Sequence, residues 1–169
     1  MMIMKIMNLS MNVTNIITNK KERNMFWFYF EMFIWFLWQL PQNLVALLMM
    51  PFLGKMKIIR FDPYTIAFEC EKMNGAISLG NFIFLSPRSA QREATILHEY
   101  GHVLDSQKFG WLYLFVIGIP SLLWAGFFSK DKCYYDFYTE KWANRNAGLK
   151  VGRNQYGCYI YIPIEDDEE

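Results

Sequence analysis

Two histidines, His98 and His102, are the only ones in this chain of 169 residues, and they stand four apart in the stretch Ile96-Leu97-His98-Glu99-Tyr100-Gly101-His102. On a helix, residues four apart lie one above the other on the same face. Both imidazoles can therefore address a single metal ion. Glu99 sits beside that face, where its carboxylate can reach a water on the metal. Zinc takes neutral imidazole nitrogens and, in catalytic sites, keeps one position open for water. The H-E-x-x-H pattern thus points to metal-assisted hydrolysis, with His98 and His102 as ligands and Glu99 as general base. The competing reading is a surface helix whose two histidines face solvent.

Two histidines do not complete a catalytic zinc site, because a third protein ligand is usual. With no third histidine, a carboxylate must supply it. Glu140 is the first choice, in Tyr138-Thr139-Glu140-Lys141-Trp142-Ala143-Asn144. On a helix Glu140 and Asn144 share a face, so Glu140 can bind the ion while Asn144 orients a ligand from behind. Asp105 is the rival. It follows the histidines on their own helix face, but one straight helix can hardly wrap three ligands around one ion. Asp131 and Asp136 rank third. Tyr138 or Tyr135 is the candidate oxyanion donor. Tyr100 and Gly101 fall to helix packing, Gly101 admitting the close approach of another element.

The elements that must position these groups can be read around them. Ser86-Pro87 is a helix start, a capping hydroxyl followed by proline in the first turn. The motif helix is expected from about Pro87 to Gln107, with Gly110 able to end it. Upstream, Lys57 to Phe61, Tyr64 to Glu71 and Gly75 to Leu85 read as short strands, punctuated by Asp62-Pro63 and by the hairpin signal Asn74-Gly75. The third strand, leading into the motif helix, is a candidate edge for pairing with an extended substrate peptide. Downstream, the chain reads as helical from Asp136 and as a last strand over 155–164.

The chain is 53% hydrophobic and 18% aromatic, with eleven methionines and a net charge of +1. Near neutrality implies no strong field for nucleic acid. The apolar residues are concentrated in two stretches, which is a membrane-associated composition. Residues 25–54 form the first. It is interrupted by Glu31, Gln39, Gln42 and Asn43, kinked at Pro41, and contains Trp27, Trp35 and Trp38, which suit an interface. It fits a kinked span, an interfacial hairpin or a buried helix pair. Basic residues flank both ends, so charge gives no orientation. Residues 109–128 form the second and hold no charge. Residues 1–24 read as a weakly ordered start with no convincing signal-peptide cleavage site. Residues 165–169 read as a solvated acidic tail. Cys70, Cys133 and Cys158 are odd in number and widely spaced, so reduced cysteines are expected, with neither a disulfide framework nor a second zinc site.

On these residues the chain resembles the gluzincins. In that group H-E-x-x-H supplies two ligands and the base, and a downstream Glu-x-x-x-Asp helix supplies the third ligand and a supporting carboxylate. The nearest likeness is to membrane gluzincins such as CAAX prenyl proteases and bacterial heat-shock membrane proteases, where a hydrophobic insert separates the two motifs. The chain also looks like small uncharacterised bacterial proteins with a zincin core. The likeness covers roughly residues 86–148, and Asn144 stands where those families carry Asp. It implies an α+β fold over 55–164, a zincin-like active-site helix packed on a small antiparallel sheet, joined to an N-terminal apolar membrane-associating helical segment. It implies a zinc metallopeptidase of peptide or protein substrates at a lipid membrane, by analogy the bacterial inner membrane. The alternative is a membrane-anchored zinc protein that binds without cleaving. If Glu140 is a ligand, residues 109–128 cannot cross a bilayer once, since that would set His98 and Glu140 about 30 Å of hydrocarbon apart. A fold-back at Ile117-Gly118-Ile119-Pro120 into two short helices over the site is expected.

Overall fold

The computed structural model describes residues 25–62, 64–128 and 133–162. The expectations for the first 24 residues, for Asp131 and for the acidic tail fall outside them.

Two helices come first, α1 (Met25–Trp38) and α2 (Leu40–Met49). Pro41 lies in the first turn of α2, where its missing N–H costs nothing. The two helices are bent by 84° at their junction. No single helix among the described residues is long and apolar enough to cross a membrane; α1 and α2 with the following turn pass that test only as a bent pair. The polar residues that interrupt this apolar stretch point inward. Gln39, Gln42 and Asn43 are each 0% exposed, whereas α1 buries no residue.

Four strands follow, β1 (Met56–Asp62), β2 (Thr65–Cys70), β3 (Ala76–Leu79) and β4 (Phe82–Leu85), ordered β1-β2-β4-β3. β1 and β3 run antiparallel to their neighbours, but β2 and β4 are parallel. The sheet is mixed, which corrects the expected antiparallel sheet. The reason is that Gly75 to Leu85 is two strands. Gly80-Asn81 forms a two-residue turn between paired Leu79 and Phe82, with Gly80 at φ +63°. Asn74-Gly75 makes no hairpin with β2; it carries the chain to the far edge, and β4 returns between. Every residue of β4 is buried, as expected of a strand covered on both faces. Phe82 and Phe84 pack with Ala46 of α2. Ile83 and Leu85 pack with Ile96 and Val103 of the motif helix.

That helix is also shorter than expected. α3 (Pro87–Ala90) is capped by Ser86, whose hydroxyl accepts the Ser89 N–H at 3.2 Å. Arg92 then turns extended, at φ −108° and ψ 105°, and α4 (Glu93–Phe109) starts afresh. An Arg60–Glu93 pair at 3.0 Å ties its first turn to β1. Gly110, at φ +52°, ends α4 as expected, and a Cβ there would run into the Trp38 ring. The α1–α2 corner grips this end of α4. Gln42 Nε2 donates to Ser106 Oγ and Gly110 O, both at 2.9 Å, and Ser106 Oγ donates to Gln39 Oε1 at 2.7 Å. Trp38 Nε1 donates to Gln107 O at 2.8 Å.

The second apolar stretch does not fold back. A π-helical turn, Leu114–Gly118, runs into α5 (Ile119–Phe128) as one continuous apolar helix. Pro120 has no N–H to offer the Val116 carbonyl four residues earlier. The wider π turn accommodates the ring, and the Tyr138 hydroxyl donates to Val116 O instead.

A short 3-10 turn, Tyr134–Asp136, leads into α6 (Tyr138–Asn146), followed by the hairpin β5 (Lys150–Arg153) and β6 (Tyr159–Ile162). Cys133 and Cys158 form a disulfide, with Cα atoms 4.8 Å apart and a separation of 25 residues. This corrects the expectation of reduced cysteines. The hairpin, not visible in the sequence as a pair, returns Cys158 to the turn before α6, where Tyr159 N–H also donates to Asp136 Oδ1 at 2.7 Å. Cys70 is free and buried. Reducing the disulfide should lower the unfolding free energy by about 3 kcal/mol, the cost for a loop of this length. The urea midpoint with and without a phosphine reductant measures it, and a Cys133→Ser/Cys158→Ser variant should match the reduced protein.

Candidate metal centre

α4 and α6 meet at Gly101. A Cβ there would stand 2.0 Å from the carbonyl oxygen of Ala143, so only glycine lets the two backbones approach this closely. The contact lies between His98 and His102 on one helix and between Glu140 and Asn144 on the other. Each helix thus presents its functional face to its partner.

The three expected ligands converge. His98 Nε2 lies 3.2 Å from Glu140 Oε2, and His102 Nε2 lies 3.9 Å from Glu140 Oε1. One ligand atom from each residue falls within 4.8 Å of the other two, and all three residues are buried. In a tetrahedral zinc site with bonds of 2.0–2.1 Å, ligand atoms sit roughly 3.3–3.4 Å apart. The His98–Glu140 edge has about that length, while His102 approaches the other carboxylate oxygen, so with one ligand atom from each residue the edges span up to 4.8 Å and would close onto an ion. The group can hold a metal ion.

Two of the three candidate ligands, His98 and Glu140, are held from behind. Asn144 Oδ1 lies 2.8 Å from His98 Nδ1. With the amide oxygen accepting, Nδ1 carries the proton and Nε2 is left for the metal. Ser121 Oγ of α5 donates to Glu140 Oε1 at 2.7 Å, and Thr139 Oγ1 does so at 3.1 Å. Glu99 takes no part in the ligand triad. Its Oε2 accepts the Ser78 hydroxyl at 2.6 Å. Ser78 pairs with Ile83 in the β3–β4 register and so shares the sheet face turned to α4.

The electrostatics follow from the same contacts. Burial opposes the charge on Glu140, but the hydrogen bond from His98 and the nearby imidazoles hold its pKa down at about 2. Burial pulls His98 down, yet Glu140 and Glu99 outweigh it and push it up to about 9. Burial, with the charge on His98, lowers His102 to about 4. Burial raises Glu99. A +2 ion would discharge this frustration, because it replaces the proton shared by His98 and Glu140.

The remaining candidates go elsewhere. Asp105 is not in the ligand group; its Oδ1 accepts from Asn146 Nδ2 at 2.6 Å. Asp136 groups with the two disulfide sulfurs, which are not thiolate ligands in that state. Tyr138 is not aimed at the metal group, since its hydroxyl satisfies the carbonyl that Pro120 leaves unpaired. The Tyr135 ring packs edgewise on His98, centroids 6.0 Å apart. Tyr134, not singled out from the sequence, brings its hydroxyl to Glu140; burial and then the charge of Glu140 hold that phenol above its ordinary range. Ser78 and Ser121 also went unread. Alternation in Ala76-Ile77-Ser78-Leu79 could have shown Ser78 facing the motif helix. Nothing local marks Ser121.

Comparisons with protein-family models, with curated proteins and with solved structures find no match to this chain.

Proposed function

We propose that this chain is a membrane-associated, zinc-dependent metallopeptidase of gluzincin type, with a zincin-like core. The observation that carries the proposal is the arrival of Glu140, from a helix some forty residues on, at the two histidines of H-E-x-x-H. Two imidazoles and one carboxylate are one of the donor sets that hold catalytic zinc. A zinc ion bound there supplies a Lewis acid and a water of lowered pKa. Glu99, one residue from His98 and oriented by Ser78, takes a proton from the attacking water and delivers it to the leaving amine. Asn144 and Ser121 keep His98 and Glu140 in place while this happens. The first test is metal content. Elemental analysis of detergent-purified protein should give about one zinc per chain, and none in His98→Ala. Wild-type protein that takes up no zinc after supplementation sinks the proposal.

The membrane part rests on an inverted surface. Leu48, Phe52, Phe115 and Phe127 are each more than 70% exposed, while Gln39, Gln42 and Asn43 are sealed inside as hydrogen-bonded joints between elements. Polar residues as interior fastenings under an apolar exterior suit a lipid surroundings. The 15-residue helix Leu114–Phe128 is too short to cross a bilayer alone, and it lies against the site through Ser121. Positions 105 and 135 should therefore map to the same side in a labelling or protease-protection experiment; opposite sides would refute the topology. The disulfide supports an oxidising compartment for that side.

The second reading, a zinc protein that binds without cleaving, has one observation in its favour. The ligands are buried and Ser121 covers Glu140, and closed sites are the structural kind.

A further inference from the structure

Two buried polar atoms near the metal group face each other without a partner. His102 Nδ1 and Asp105 Oδ2 have no hydrogen bond, and they stand 3.9 Å apart. Both residues are nearly sealed, His102 at 6% and Asp105 at 1% exposure. Orphaned buried groups are rare and costly, and each needs a reason.

The reason follows from what His102 must do. Its Nε2 faces Glu140, so in the loaded site Nε2 carries the lone pair and Nδ1 carries the hydrogen. The buried acceptor beside that hydrogen, 3.9 Å from Nδ1, is Asp105 Oδ2. The carboxylate is itself anchored on its other oxygen, by Asn146 Nδ2 at 2.6 Å. His98 has the simpler version of the same support, an amide oxygen of Asn144 directly on Nδ1. α6 thus supports both histidines from positions two apart, Asn144 acting directly and Asn146 through Asp105. A closure of under about 1 Å from the present 3.9 Å brings Nδ1 and Oδ2 to hydrogen-bond length.

We infer that Asp105 is the positioning carboxylate of His102, held by Asn146, and that the His102–Asp105 hydrogen bond closes when the metal binds. The residue that the sequence offers as a rival ligand acts one bond further out. Asp105 touches neither substrate nor ion. It fixes the tautomer and orientation of His102 and raises its basicity as a ligand.

The inference rests on the zinc reading above, and the experiment separates the two. Zinc affinity of the full chain is measured by chelator competition for wild type, Asp105→Asn, Asp105→Ala and Asn146→Ala, with the melting temperature of the metal-free protein as a fold control. Removing such a partner lowers metal affinity by roughly 10- to 100-fold. Asp105→Ala should show the full loss. Asp105→Asn keeps an acceptor without the charge and should lose less. Asn146→Ala, which spares Asp105 but frees it, should fall between and cover the case in which Asp105→Ala does not fold. In the loaded wild type the Nδ1 proton of His102 should appear far downfield in the imidazole NMR spectrum and move in Asp105→Asn. Equal zinc affinity in a wild type and an Asp105→Asn protein that both bind the ion overturns the role of Asp105 alone. A wild type that binds no zinc overturns the metal centre and this inference with it.

Discussion

Replacing Glu99 by glutamine is expected to leave about one zinc per chain and to lower peptide hydrolysis by roughly 10²- to 10⁴-fold, the usual contribution of a positioned general base. The two halves of the expectation have separate physical sources. Zinc stays because Glu99 is not among the three converging ligands. The shape stays because the glutamine amide oxygen can still accept the Ser78 hydroxyl, now 2.6 Å from Oε2. Only proton transfer is lost, since an amide has no basic oxygen at neutral pH. Elemental analysis and turnover of a fluorogenic peptide mixture, on the same preparations, measure both.

This substitution also separates the two readings of the site. A metallopeptidase loses turnover and keeps its ion. A protein that only holds zinc shows no change in either quantity. Loss of zinc from the Glu99→Gln protein would contradict both, because it would place Glu99 among the ligands.

Much of the centre was legible because its chemistry is local. His98, Glu99 and His102 lie within little more than one helical turn, and helix geometry alone puts them together. Glu140 and Asn144 were legible by the same periodicity on a second helix, and the α4–α6 contact brings them to His98. What could not be read depends on pairings between distant segments. The two-residue turn at Gly80-Asn81 splits a strand and turns an antiparallel sheet into a mixed one. The Cys133–Cys158 bond needs a hairpin whose first strand, Lys150–Arg153, carries almost no apolar pattern. Tyr138 reads in the sequence as a candidate oxyanion donor, yet its hydroxyl is committed to the Val116 carbonyl, which Pro120 cannot serve. The polar residues of the first apolar stretch read as impurities in a membrane segment. Gln39 and Gln42 are the joints that fix the end of α4, and Asn43 ties α2 to the turn between β3 and β4.

Gly101→Ala should be among the most damaging single changes in the chain, although it replaces glycine by the best helix former inside a helix. Two effects oppose each other. Alanine in a helix interior gains about 1 kcal/mol over glycine. The new Cβ, however, would lie 2.0 Å from Ala143 O and 2.6 Å from Ala143 C. These are backbone atoms of α6, not the tip of a side chain, so relief requires the whole helix to back away by more than about 1 Å, as overpacked interiors do at a cost of 1–3 kcal/mol or more. Glu140 and Asn144 ride on α6 on either side of Ala143, and they would leave His98 with it. The expected result is a net destabilisation of about 2 kcal/mol or more, together with loss of stoichiometric zinc. Gly126 supplies the control. It also lies within a helix, α5, but a Cβ there meets nothing within 4 Å, so Gly126→Ala should stabilise by up to about 1 kcal/mol and leave zinc unchanged. Denaturant midpoints and zinc content of the two variants, compared side by side, test whether the close approach of α4 and α6 builds the centre. A Gly101→Ala protein as stable and as zinc-loaded as Gly126→Ala would mean that it does not.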